Sequence, residues 1–163
     1  MAATNRLAGI VSKINSLPEF ARPRALSLFF GKAVPFTGTA GIRIQSLDQD
    51  RCVIRLANKR RVQNHIGGVH AVASLLLAES ATGFLVGLNV PDDKVPVIKT
   101  AHAEYTKRAK GDMIVEAHLT EEQKQRMRTE DKGEAAVAVT IRDSEDKEPI
   151  EIEMVWAWTP KRR

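Results

Sequence analysis

The sequence predicts an α+β domain in which a curved antiparallel sheet of about six strands wraps around one long central helix. The first observation is an apolar stretch, 66–91, whose only charged residue is Glu79. The second is the set of alternating apolar segments before and after it, joined by short turns. Hairpin-length connections require antiparallel pairing, and a helix that is apolar nearly all round must be covered by that sheet. A chain of 163 residues suffices for one such domain with its own core.

The segments before the central helix are predicted to be helical first and extended afterwards. Residues 5–15 and 19–32 carry apolar side chains at helical spacing, which predicts an N-terminal helical extension over 1–33. Alternation then predicts a hairpin, with its turn at Asp48-Gln49-Asp50 and Cys52 in the core of the second strand.

The segments after the central helix predict four more strands. Residues 97–108 and 113–119 are expected to form a second hairpin through the turn at Gly111-Asp112. Thr120 and Gln123 have the spacing of a capping box, which predicts a short exposed helix. The last two strands follow, and Trp156 and Trp158 share one face of the final one.

Glu79 is the first candidate for a functional residue. No basic side chain lies three or four positions away on the helix to share its charge. A carboxylate on a buried helix must be hydrogen-bonded or have a raised pKa, and such groups cluster at functional sites. The alternative is a structural glutamate bonded to the backbone or to a core histidine such as His102 or His118.

The loop before the helix and the helix N-terminus offer backbone N–H groups that could act together with that carboxylate. Gly67 and Gly68 allow the backbone to approach a ligand, and the helix N-terminus presents unpaired N–H groups that can hold an oxyanion. Ala71 and Glu79 lie eight residues apart, ~12 Å along one helix axis, which a glutamate side chain cannot close. The two groups can act together only across two subunits, so a homodimer with interfacial sites is expected.

Three motifs carry a resemblance to a known family. They are Asn64-His65-Ile66-Gly67-Gly68-Val69-His70, then Leu77-Ala78-Glu79-Ser80-Ala81-Thr82-Gly83, and more weakly the segment 105–112. In these motifs the sequence resembles the hotdog-fold thioesterases, in particular the branch of the phenylacetate-pathway thioesterase PaaI and the related DUF4442 family. The resemblance spans roughly 36–160, which it implies to be the hotdog core.

The resemblance implies a role for each matching position. The loop asparagine falls on Asn64, which would orient the thioester or the attacking water, the loop glycine on Gly67, and the motif histidine on His70. The acidic residue falls on Glu79 as general base or nucleophile. The backbone N–H that polarises the thioester oxygen would be that of Ala71, with the carboxylate and this donor on different subunits.

The expected substrate contacts come from the motifs and from the basic clusters, and the motif departs from the family at two positions. The residues expected to contact substrate are Gly67, Gly68, Val72, Thr82, Lys107 and Arg108. The basic clusters 59–61 and 107–110 are candidates for the phosphates of coenzyme A. Where the family usually has two glycines after the histidine, this chain has Ala71 and Val72. The N–H group survives, but a β-branched side chain narrows the room for a thioester.

These observations predict an acyl-CoA thioesterase that needs no metal and no cofactor beyond the coenzyme A of its substrate. It is expected to be a homodimer, or a dimer of dimers. The alternative is a non-catalytic protein that binds an acyl-CoA or fatty acyl group. An acyl-thioester hydratase ranks behind hydrolysis because its histidine-proline loop is absent from the sequence.

Composition argues against other classes. The net charge of +5 raises nucleic acid as a partner, but the basic clusters carry no interleaved aromatic residues and no zinc-ligand spacing. One cysteine leaves no intrachain disulfide and fits a reducing compartment. Without a signal-like start or an uninterrupted apolar span, the expectation is a cytoplasmic protein that neither binds nucleic acid nor inserts in a membrane.

Overall fold

The structure is a computed structural model that describes residues 5–162. Its helices are α1 (Arg6–Asn15), α2 (Arg22–Ala33), α3 (Pro35–Ala40), α4 (Ala71–Asn89) and α5 (Glu121–Thr129). Its strands are β1 (Arg43–Leu47), β2 (Arg51–Leu56), β3 (Lys94–Tyr105), β4 (Met113–His118), β5 (Gly133–Asp143) and β6 (Ile150–Pro160). Single 3-10 turns at Glu19–Ala21 and Arg60–Val62 precede α2 and the loop before α4.

The six strands form one sheet in the order β1-β2-β4-β5-β6-β3. Every neighbouring pair is antiparallel, which confirms the predicted class and strand number. Helix α4 packs on the inner face of this sheet and contacts five of its strands, β2 to β6. The alternating residues of the strands supply the sheet half of the core, as the sequence predicted.

Helix α4 is apolar on all sides, and the rest of the fold covers most of its surface. Leu77, Ala81 and Leu85 are fully buried against the sheet. By length and composition alone the helix could cross a membrane, with a mean hydropathy of 1.7, but 56% of that window is buried inside the domain. Its apolar character is therefore accounted for by its place in the core.

The predicted hairpin between the strand after α4 and the next strand is wrong. Strand β3 pairs with β6, whereas β4 lies between β2 and β5. The connection between β3 and β4 packs instead against the β5–β6 turn, where Thr106 N–H donates to the Pro149 carbonyl and Ser144 N–H donates to the Lys110 carbonyl. Turn residues such as Gly111 predict where the chain reverses, but alternation does not encode which strand becomes the neighbour.

The N-terminal helices are confirmed, and the helical region extends further than predicted. Helix α3 continues to Ala40, although the sequence placed the start of the core near residue 36. Pro35 opens this helix in its first turn, and Gly41 closes it in the left-handed conformation with φ of 77°. Helix α2 is fixed to the sheet edge, where Ile44 N–H donates to Ser27 Oγ over 2.9 Å.

Two local predictions are confirmed in detail. Asp48 Oδ1 accepts hydrogen bonds from the N–H groups of Asp50 and Arg51, which closes the β1–β2 turn. Thr120 and Gln123 form the reciprocal capping box at the start of α5. In both the turn and the helix cap, side-chain oxygens accept hydrogen bonds from nearby backbone N–H groups. Both features were therefore predictable from the local sequence.

A buried lysine joins β3 to α5. Lys94 is only 6% exposed, and its Nζ donates to the carbonyls of Met127 and Arg128 over 3.3 Å and of Glu130 over 2.7 Å. These carbonyls belong to the C-terminal end of α5, which carries unpaired acceptors and the negative end of the helix dipole. The ammonium group satisfies both.

We expect Lys94→Met to lower the free energy of unfolding by about 2 kcal/mol, because it leaves the buried carbonyls unpaired. The matched control is Lys99→Met on the same strand, where the exposed ion pair with Glu134 is lost at a cost within about 0.5 kcal/mol. Urea denaturation of both variants measures the difference. Equal losses would show that the contacts of Lys94 contribute no more than a surface pair.

Candidate active site

The loop before α4 is held by Asn64. Its Oδ1 accepts hydrogen bonds from the N–H groups of Ile66 and Gly68, both over 3.1 Å, and its own N–H donates to the Gly68 carbonyl over 2.8 Å. The Nδ2 group of Asn64 makes no hydrogen bond to any part of the chain between residues 5 and 162. The residue expected to orient substrate thus shapes the loop with one amide atom and keeps the other available.

The two loop glycines differ in what they require. Gly67 has φ of 79°, a conformation that side chains rarely adopt, so glycine is needed there. A Cβ at Gly68 would meet its nearest atoms only at 3.8 Å, in ordinary contact with the Asn64 side chain. Gly67 therefore sets the turn of the loop, and Gly68 leaves open space beside Asn64.

His70 is the N-cap of α4. Its Nδ1 accepts a hydrogen bond from Val72 N–H over 3.1 Å, and its carbonyl accepts one from Ser74 N–H over 3.0 Å. Within residues 5–162 the Ala71 N–H makes no hydrogen bond. The cap thus satisfies the neighbouring donor and leaves the N–H of Ala71 free at the positive end of the helix dipole.

A cavity of about 410 Å³ opens at this helix end. Asn64, Gly68 and Ala71 line it together with Tyr105 and residues of the β3–β4 connection, including Lys107 and Arg108. We call it the loop pocket. The loop motif 64–70 and the segment 105–112 therefore come together in one pocket lined by amide, N–H and basic groups, whereas the helix motif around Glu79 does not line it.

Two side chains fix the walls of the loop pocket. Tyr105 Oη donates to the Ala71 carbonyl over 2.7 Å, and Arg108 Nη2 donates to the Ile66 carbonyl over 3.3 Å. Tyr105 was missed as a site residue, although it begins the weakest of the three motifs and is the only tyrosine in the chain. Arg108 is partly used in holding the loop, whereas the ammonium group of Lys107 makes no hydrogen bond or ion pair within residues 5–162.

Glu79 lies in the middle of α4 without a partner. Its carboxylate makes no hydrogen bond or ion pair with any residue from 5 to 162, and burial raises its pKa above the usual range. His102 and His118, the alternatives for a structural pairing, instead face Glu104 and Glu116. The structural interpretation of Glu79 therefore loses its proposed histidine partners.

Glu79 lines a second cavity, of about 250 Å³, which we call the acyl-side pocket. Its other lining residues are mostly apolar and come from α1, from α2 with the residue that follows it, and from α4 and β6: Leu7, Phe30, Ala33, Val34, Ser80, Gly83, Phe84 and Trp156. Among residues 5–162, none lines both pockets. The structure therefore keeps Glu79 and Ala71 at separate sites of one protomer, as the ~12 Å estimate along the helix requires.

Thr82 and Val72 lie away from both pockets. Thr82 is fully buried, its Oγ1 donating to the Ala78 carbonyl over 2.9 Å and accepting from Trp156 Nε1 over 2.9 Å. It therefore orients the Trp156 ring at the wall of the acyl-side pocket. Val72 is 57% exposed and is not among the residues that line the loop pocket, so it does not narrow that pocket in the protomer.

The structure also describes the surroundings of the cysteine thiol and of the side chains that could bind a metal ion. Cys52 is fully buried on β2, and burial raises the pKa of its thiol, so it is a core residue. Across residues 5–162, no group of three histidine, cysteine, aspartate or glutamate side chains is arranged to hold a metal ion.

Comparison with known proteins identifies the family. The model of a domain of unknown function, DUF4442, matches residues 22–158. The chain belongs to the DUF4442 family. The family's description assigns no activity, and no curated protein matches the chain.

Several solved structures share the fold of this DUF4442 chain. A Pseudomonas aeruginosa protein of unknown function, described as a probable thioesterase, has 23% identity and a TM-score of 0.76 over 89% of this chain and 97% of its own. A thioesterase from Haemophilus influenzae has 15% identity and a TM-score of 0.66 over 89% and 92%. A mutant thioesterase from Pseudomonas aeruginosa has 17% identity and a TM-score of 0.67 over 82% and 92%. At such identities these likenesses establish the hotdog fold predicted from the sequence motifs.

The raised pKa of Glu79 predicts an unusual stability effect. Burial disfavours the ionised form of this carboxylate only in the folded state. Above pH 4.5 the folded protein therefore binds more protons than the unfolded chain, and its free energy of unfolding falls as pH rises through the raised pKa. We expect Glu79→Gln to be more stable than the wild type at pH 7, with the gap narrowing as pH falls. Denaturant unfolding between pH 4 and 8 measures it.

The control is Glu116→Gln, whose effect has the opposite sign. The hydrogen bond from Arg51 lowers the pKa of Glu116 to about 2, so its ionised form stabilises the fold above its unfolded pKa. This variant is expected to be less stable than the wild type at pH 7, with the loss fading toward pH 2. A destabilised Glu79→Gln at pH 7 would show that the carboxylate has a stabilising partner.

Proposed function

We propose that this protein is an acyl-CoA thioesterase whose active site is shared between two subunits. The observation that carries the proposal concerns two groups on helix α4. The unpaired carboxylate of Glu79 lies in an apolar pocket, and the free N–H of Ala71, at the N-terminus of the same helix, lies at a different pocket. A thioester carbonyl needs both groups, an attacking base and an oxyanion donor. The thioesterases among the structural neighbours support the same reaction class.

In the proposed reaction, Glu79 takes a proton from water and the water oxygen attacks the thioester carbon. The Ala71 N–H of the partner subunit holds the developing oxyanion, and Asn64 Nδ2 orients the water or the thioester. The C–S bond then breaks, and the thiolate takes the proton back from Glu79. A carboxylate with a raised pKa is a stronger base, which suits this step. Direct attack by Glu79 through an anhydride is the variant route, distinguished by oxygen-18 entering the carboxylate.

The coenzyme A end of the substrate is assigned to the loop pocket. Lys107 and Arg108 line it, and a neighbouring cavity beside Gly67 adds Lys110. Lys110 is paired with Glu145, so Lys107 is the cation best placed to meet a phosphate. The other predicted cluster contributes less, since Arg61 Nε donates to the Ala40 carbonyl over 3.2 Å.

The homodimer is assigned to the β3 edge of the sheet. Within the part of the chain that the structure describes, strand β3 has β6 as its one neighbour, so the other edge of its twelve residues presents a long row of unpaired backbone groups. Ile98 and Tyr105 share a face with the buried Trp156 and Ile150, their partners across the ladder, yet they are 39% and 50% exposed. A second subunit on this edge would cover them and bring its helix end toward Glu79.

We expect Glu79→Gln to lower thioester turnover by about 10²–10⁴-fold, because glutamine can neither accept the proton nor attack. Thiol release from short, medium, long and aromatic acyl-CoAs measures it, with products confirmed by chromatography. Glu116→Gln on the outer face of the sheet serves as control and should retain wild-type turnover. Saturable acyl-CoA binding by a wild type that turns over none of the panel would replace the enzyme with a carrier on the same fold.

Mixing two inactive variants tests the shared site. Glu79→Gln and Asn64→Ala each disable one half, and at equal amounts half of the dimers contain one subunit of each. Each mixed dimer has one intact site, so the exchanged mixture is expected to recover about a quarter of wild-type turnover.

The control for this experiment is each variant exchanged with itself, which should recover nothing. Co-purification through two different affinity tags confirms that mixed dimers formed. Mixed dimers without activity would place both halves of the site within one protomer and overturn the shared arrangement.

A further inference from the structure

The acyl-side pocket is built from parts that the reaction itself does not require. Leu7 of α1 and Phe30, Ala33 and Val34 of α2 and its C-terminal end form one side, opposite α4 and Trp156. Leu7 lies before residue 22, where the match to the family begins. The N-terminal helices therefore give this chain a pocket wall beyond the sheet-wrapped helix.

The shape of this wall is fixed by packing. Phe30 contacts Phe84 with ring centroids 4.3 Å apart, and Trp156 is anchored through its Nε1 on Thr82. A Cβ at Gly83 would come within 2.7 Å of the Trp156 ring, so the ring lies directly on the helix backbone. A cavity with rigid aromatic walls is preformed for an apolar group.

Ser80 independently indicates an occupant. Ser80 is one of the lining residues of this pocket, and its buried hydroxyl has no hydrogen-bond partner within residues 5–162. A buried hydroxyl without a partner costs free energy, and in an otherwise apolar cavity a bound group with a polar atom would supply the missing bond.

We propose that this pocket binds the acyl body of the substrate and that the N-terminal helices set its size limit. The inference rests on the proposed thioesterase function, because Glu79 at the rim places the reacting carbonyl there. A dry cavity of about 150 Å³ binds benzene, so about 250 Å³ accommodates one aromatic ring or a medium-length chain. Ser80 meets the polar end of that group, next to Glu79.

The test narrows the pocket at its rim without disturbing the core. Val34 is 40% exposed, so Val34→Phe adds a ring to the wall without creating a core cavity. We expect kcat/KM for octanoyl-CoA and phenylacetyl-CoA to fall at least about tenfold, while acetyl-CoA changes less than about twofold. Leu28→Phe is the matched control, because Leu28 lies on α2, the helix that ends just before Val34, has 54% exposure and lines neither pocket.

A binding measurement separates this proposal from the proposed function. S-alkyl coenzyme A thioethers cannot be hydrolysed, so calorimetry reports pocket occupancy without turnover. Tighter binding of the octyl than of the methyl thioether, lost in Val34→Phe, would support the pocket even if no thioester is hydrolysed. If Val34→Phe hydrolyses thioesters with an unchanged chain-length profile, the proposed acyl pocket is wrong and the proposed thioesterase function stands. Thioether binding that does not depend on chain length would also contradict the acyl pocket.

The acyl-CoA panel and the Ser80→Ala variant identify which group occupies the pocket. Relative kcat/KM for octanoyl-CoA and phenylacetyl-CoA shows whether the pocket prefers an aliphatic or an aromatic group. Removal of the Ser80 hydroxyl is expected to raise stability and lower kcat/KM together. Higher stability with unchanged kinetics would show that the hydroxyl meets no substrate atom.

Discussion

Burial of helix α4 is the constraint on which the rest of the structure depends. The helix is apolar on every side, so five strands must cover one face and the N-terminal helices part of another. The same burial raises the pKa of Glu79, whose carboxylate has no hydrogen-bond or ion-pair partner within residues 5–162. The packing that organises the fold thus also creates the candidate catalytic group, and the free energy of burying the apolar helix offsets the cost of a half-buried carboxylate.

The rigidity of α4 also separates the two halves of the site. A straight helix holds Ala71 and Glu79 eight residues apart and opens each to a different pocket. A loop could bend to bring such groups together, but a helix packed against a sheet cannot. In the dimer that we propose, a second subunit bound at the β3 edge would supply the missing donor from its own helix.

The sequence predicted the features that depend on local chemistry. The single charge in 66–91 marked the core helix, alternation marked the strands, and Asp48 and Thr120 marked a turn and a helix cap. Strand neighbours were not predictable in the same way, because β3 and β4 each alternate suitably for several partners, and the contacts of the 106–112 connection are with the β5–β6 turn, which is distant in sequence. The acyl-side pocket was missed for a similar reason, since Leu7, Phe30 and Trp156 are far apart in sequence and look like core residues individually.

The departure from the family motif at Ala71 and Val72 concerns side chains, whereas the oxyanion donor is a backbone group. His70 as N-cap occupies the N–H of Val72 and leaves that of Ala71 free, so the order of donors at the helix end is set by the cap. A side chain at Ala71 changes neither the helix dipole nor the direction of its N–H. Val72 is exposed and does not line the loop pocket, so we expect its side chain to affect substrate width rather than the donor. In the proposed reaction, catalysis depends on the N–H that the cap leaves free and on Glu79, and both groups are present in this chain.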